Sequence, residues 1–206
     1  MEKKYAFIIL FTALVILGAE IRQASAADPV VGLDKTTAAD PRMTVELFRQ
    51  VVALPADAVP LSPAMAKLPL WKSAAVSNVM TYAAGKVVRE NIQEQFHSVN
   101  GKYVVCTAKS EFYAQTMYAV LAAGSVPGTY KLYSLYGSGA IREGLVEADV
   151  TYDFVHHTYE IRSAYSAGFT ELTTGAYTDT TDTSKTEVSK NDVHFLSREV
   201  TARKVE

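Results

Sequence analysis

The sequence predicts an α+β fold, with N-terminal helices packed on one face of an antiparallel, Tyr-rich β-sheet. Two rhythms predict it. Up to Gly124 apolar residues recur at helical spacing, as Val76, Met80, Ala83 and Val87 do, whereas after Pro127-Gly128 the period drops to two. Helices first and strands later is the order of an α+β domain, not of alternating βαβ units.

The elements follow in chain order. Lys3 and Lys4, an apolar run from Ala6 to Ala19 and the small residues Ala24-Ser25-Ala26 read as a signal peptide over 1–26, which places the mature chain in the periplasm or outside the cell. The run is too short for a spanning helix, which needs roughly 20 apolar residues. Residues 27–39 are small and polar and read as a flexible leader, and 40–206 as a single domain. Asp40-Pro41 starts a helix that carries Val45, Phe48, Val51 and Val52 on one stripe and stops at Pro55. Four prolines between Pro55 and Pro69 make the next stretch an extended crossover.

Trp71 to about Gln95 reads as the longest helix, with Lys86, Arg89, Glu90 and Glu94 off its apolar stripe. Asn100-Gly101 marks a hairpin, because both residues tolerate positive φ. Ser110 opens a further helix through Tyr113, Met117, Val120 and Leu121, closed by Gly124. Strands follow over 129–136, 144–155, 156–165 and 169–177, then a mobile Thr- and Asp-rich loop over 178–192 and a last strand over 193–200. This element order resembles the cone-shaped fold of the nuclear-transport-factor-2-like superfamily, a resemblance that implies a cone-shaped sheet and transfers no functional residue.

Composition excludes several functions. Without its first 26 residues the chain has a net charge of about -3 and no basic stripe, so nucleic acid is not an expected partner. Cys106 is the single cysteine and sits in the apolar run Tyr103-Val104-Val105-Cys106, so no intrachain disulfide forms and the thiol is expected to be buried. Gly-x-Ser-x-Gly, His-Glu-x-x-His and Cys-x-x-Cys patterns are absent, and Gly137-Ser138-Gly139 lacks the Lys of a phosphate loop. No cofactor and no metal are expected. Membrane contact is expected only through the transient signal peptide.

The remaining candidates are weak ligand- or partner-binding residues. Ten of the twelve tyrosines lie from Tyr103 to Tyr177, with Tyr130 and Tyr136 on one strand face beside Leu132 and Tyr133 on the other beside Leu135. His156-His157 lies near Asp153 and Glu160. On a strand the two imidazoles face opposite ways and cannot share an ion, which leaves His156 with Glu160 on one face and Asp153 with His157 on the other. Asp179 and Asp182 lack the spacing of a calcium loop.

With no catalytic constellation, the sequence points to a non-catalytic binding protein. An accessory or assembly subunit of a bacterial envelope or secretion complex is expected, meeting an envelope protein partner or a second copy of itself. The alternative is a small-ligand carrier or cofactor-free enzyme with a cone-shaped apolar cavity. An outer-membrane barrel fits the Tyr-rich strands but not the expected helices.

Overall fold

A computed structural model describes residues 42–68, 74–111, 116–136, 144–164 and 168–205. The signal peptide and leader lie outside them. Among the described residues there is one α-helix, α1 (Val45–Ala53), a 3₁₀ turn at Met65–Lys67 and ten strands: β1 (Ala74–Ala83), β2 (Lys86–Val99), β3 (Tyr103–Ser110), β4 (Thr116–Ala123), β5 (Thr129–Tyr136), β6 (Gly144–Asp153), β7 (Thr158–Ala164), β8 (Phe169–Tyr177), β9 (Thr181–Lys190) and β10 (Val193–Val205). Each strand pairs antiparallel with the next, and β1 pairs with β10 from Ala74↔Val205 to Ala83↔Leu196. The sheet closes on itself.

The α+β expectation is therefore overturned: the fold is a closed antiparallel barrel with one short helix outside it, not helices on a sheet face. The expected helix over 71–95 is β1, its turn and most of β2; the one begun at Ser110 is β4; the expected loop over 178–192 is mostly β9. The Asn100-Gly101 hairpin forms as expected, with φ of 53° and 66°. A Cβ on Gly101 would stand 2.5 Å from the Pro60 carbonyl oxygen, so the turn also needs a bare backbone there.

The helix expected before Pro55 forms, started by Thr44, whose Oγ1 accepts a hydrogen bond from the Leu47 amide at 3.1 Å. It buries Phe48 and Val51 against the outer face of β3, β4 and β5, with Val105, Val120, Ala122 and Tyr133. The Pro-rich stretch then crosses one end of the barrel. Ser62 donates its backbone N–H to Gly101 O at 2.9 Å, and Asp57 accepts from the Asn100 amide. Met65 and Leu68 drop into the barrel among Val104, Tyr130, Val150 and Tyr159 and stopper that end.

Alternation then separates inside from outside. The outward residues of β9 are Thr183, Lys185, Glu187 and Ser189, and those of β10 include Glu199, Thr201 and Arg203. That charged exterior inverts the pattern of a membrane barrel, whose outward band is apolar.

Candidate functional site

The inward positions do not make a uniformly apolar core. Near the stoppered end they are aromatic. The Tyr152 ring lies 5.5 Å from Tyr130, 5.7 Å from Phe154, 5.4 Å from Tyr159 and 5.8 Å from Tyr177, centre to centre. Tyr130 donates its hydroxyl to Ala64 O at 2.9 Å, which ties this wall to the crossover. Tyr159 lies flat over Gly175, its cross-strand partner, where a Cβ would come within 2.2 Å of the ring.

Two carboxylates face the same interior from opposite flanks. The Tyr159 hydroxyl donates to Asp182 Oδ1 at 2.8 Å, and Ser77 Oγ donates to Glu94 Oε2 at 2.8 Å. Along the sheet from β9 to β2 the buried inward residues between them are Ala202, Ala75 and Ser77, all small, and Lys204, exposed at the end of β10, pairs with Ala75. The surface Glu94 retains faces the barrel interior, and its carboxyl is pushed up to about 7 by burial, then by the charge of Asp182, against the Ser77 bond. Burial likewise pushes Asp182 up to about 6, against the Tyr159 bond. Neither forms an ion pair with a lysine or arginine among the described residues. Cys106 shares this interior, and burial, then Glu94, raises its thiol well above the ordinary range.

A polar layer lies toward the other end. Ser110 donates to Glu90 Oε2 at 2.6 Å, Thr173 and Thr186 share a hydrogen bond at 2.8 Å, and Arg198 is 1% exposed beside Glu90. Burial raises the Glu90 carboxyl, opposed by Ser110 and then by Arg198. Three buried oxygens, Thr81 Oγ1, Glu90 Oε1 and Ser163 Oγ, have no hydrogen-bond partner among the described residues. Native interiors rarely leave such groups unmatched.

The sequence candidates scatter. Tyr130 belongs to the aromatic wall. Tyr133 is on the opposite side of the sheet, under α1. The Tyr136 backbone pairs with Gly144, while its side chain lies outside the described residues. Asp153 and His157 flank a turn, not a continuous strand. Asp153 turns its carboxylate to the Val155 and His156 amides at 2.9 and 3.0 Å and to His156 Nδ1 at 2.6 Å, so its partner is the neighbouring histidine and not His157. That bonding holds Asp153 down to about 2 and raises His156. His157 sits at φ 55° with its ring edge-on to Tyr177 at 5.4 Å.

Sequence reasoning missed Tyr159 and Ser77, put Glu94 on a helix and put Asp182 in a loop. The signal for one of them was present: Glu90, Ile92, Glu94 and Phe96 alternate with Asn91, Gln93 and Gln95, which is a strand parity. A separate groove of about 560 Å³ crosses the outside of β6 to β9, lined by Glu147, Asp149, Arg162 and Glu187 among others. Its charges are paired: Lys131 with Glu147 and Asp149, Arg162 with Glu160, Lys185 with Glu187. It is a solvated ion-pair surface.

Fold and site together define an up-and-down barrel, stoppered at one end, whose interior is aromatic and acidic. No protein-family model matches the chain, and no curated protein matches its sequence. Among solved structures it is similar to an S-type phycobiliprotein lyase from Guillardia theta, at 11% identity and a TM-score of 0.48, over 80% of this chain and 94% of that one. Likeness at this level assigns neither ligand nor activity.

Proposed function

We propose that this protein is a non-catalytic binder that holds a small molecule inside its barrel, in the periplasm or outside the cell. The observation that carries this reading is that Glu94, Phe96, Leu132, Tyr152, Tyr177 and Asp182 belong to the barrel interior yet keep accessible surface, in a barrel with a covered end. Such side chains line a space instead of filling it. A few convergent polar groups on a largely aromatic wall are what a small-molecule site requires. Burial of Tyr130 and Tyr133, at 2% and 8% exposure, gives a partner protein little tyrosine surface to grip. The export address rests on Lys3, Lys4 and Ala24-Ser25-Ala26.

The test is a titration with dansylamide, whose emission rises and shifts to the blue in an apolar site. Saturable binding is expected in the wild type, and Leu132→Trp, which fills the interior, should abolish it while far-UV circular dichroism is retained. Absence of saturable binding to the wild type, or undiminished binding by a folded Leu132→Trp, refutes the reading.

A further inference from the structure

We propose that the ligand is an organic cation, its protonated amine or quaternary ammonium group held between Glu94 and Asp182 and its apolar body laid against the Tyr130, Tyr152 and Tyr177 wall. This rests on the reading of the barrel as a container and names what it contains.

Charge points first. The buried and half-buried charged residues of the inward face are Glu90, Glu94, Glu171, Asp182 and Arg198, an excess of carboxylates, while Lys86, Lys190 and Lys204 share that face by register and are exposed at the strand ends. Arg198 lies beside Glu90, and among the described residues the side-chain hydrogen bonds to Glu94 and Asp182 come from the Ser77 and Tyr159 hydroxyls. Two carboxylates facing one enclosed space repel one another, and a cation between them removes both the repulsion and the cost of desolvation.

Shape gives the second argument. The buried residues between the acids, Ala75, Ser77 and Ala202, are small, which leaves room on that side for a head group. Ser184 adds a hydroxyl to the same wall. It is 8% exposed and points into the barrel two residues from Asp182 and opposite Gly175, hydrogen-bonded to the Tyr159 side chain.

The aromatic wall gives the third. Tyr152, with Tyr130, Tyr159 and Tyr177 around it, offers ring faces that attract cations electrostatically as well as apolar bodies by burial. An anion of the same body would meet two carboxylates and the negative faces of the rings. A neutral molecule would bind through the wall alone.

Three dansyl compounds with one body and different heads separate these cases: dansylcadaverine, a cation; dansylamide, neutral; and dansylglycine, an anion. With the full-length exported protein at pH 8 and low salt, dansylcadaverine should bind at least tenfold more tightly than dansylglycine, with dansylamide between them. Glu94→Gln with Asp182→Asn should erase that gap, as should Glu94→Gln alone in part, while Glu187→Gln, on the outer face, should leave it intact. Equal binding of all three by the wild type overturns the cation and leaves the container standing. Tighter binding of dansylglycine, or a gap that survives in the folded double variant, also overturns it. If none of the three binds, both readings fall.

Discussion

Glu94 sets a pH dependence that belongs to a single residue. Its carboxyl stands near 7 in the folded protein instead of the usual 4.5, so between those values the folded chain keeps a proton that the unfolded chain has lost. Folding stability contributed by this group is therefore complete below about pH 4.5 and declines as pH rises toward 7. Asp182, near 6, acts with the same sign over a slightly lower window. The melting temperature of the ligand-free protein should fall from pH 4.5 to 7, and Glu94→Gln should flatten the upper part of that fall; an unchanged slope in the variant would show that Glu94 is not the group responsible. Gly175 is the second residue with a sharp expectation. Its Cβ would collide with Tyr159, which is bonded to Asp182 and packed against Tyr152. Gly175→Ala should destabilise by about 1 to 3 kcal/mol in urea unfolding, the usual cost of overpacking a filled site. Neither residue stood out in the sequence, because a carboxylate turned inward looks the same as one turned to water until its strand has been placed.

At the scale of elements, α1, the Asn100-Gly101 turn and most strands after Pro127 are legible in the chain, and β1, β2, β4 and β9 are not. Asn100-Gly101 announced its turn, whereas Ala84-Gly85 makes the same kind of turn with Ala84 at φ 47°, an angle that costs an alanine about 1 kcal/mol. Ala84 is exposed, so Ala84→Gly should stabilise by roughly 0.5 to 1 kcal/mol, read as a higher denaturation midpoint with an unchanged denaturant slope. β5 to β8 and β10 lie where strands are expected, whereas β1, β2, β4 and β9 were misread, for two physical reasons. In β1 the inward residues include Ser77 and Thr81 while Val76 and Met80 point outward, and in β9 the inward residues begin Asp182, Ser184, Thr186; a polar interior removes the period of two. In β4 the opposite happens. Its outward Tyr118, Val120 and Ala122 lie under α1, and its inward Leu121 joins the interior core, so the strand is apolar on both faces and its spacing imitates a helix. α1, amphipathic and bounded by Thr44 and Pro55, shows the pattern its structure requires.

The whole molecule is a row of hairpins bent into a ring. Each hairpin joins neighbours in sequence, but the seam joins β1 to β10, nearly the full described length apart. Contacts between residues so distant in sequence form slowly, because the intervening chain must be ordered before they are rewarded. Nine strands without the tenth make a curved open sheet with two bare edges, and an open sheet has no interior. Made from its N-terminus, the chain releases β10 last of the ten strands, so Ser77, Ala202 and the two acids meet across the seam only at the final step. The space between Glu94 and Asp182 thus has a time of origin: it is made all at once, when the last strand arrives, and a chain cut short of β10 would fold its hairpins and hold nothing.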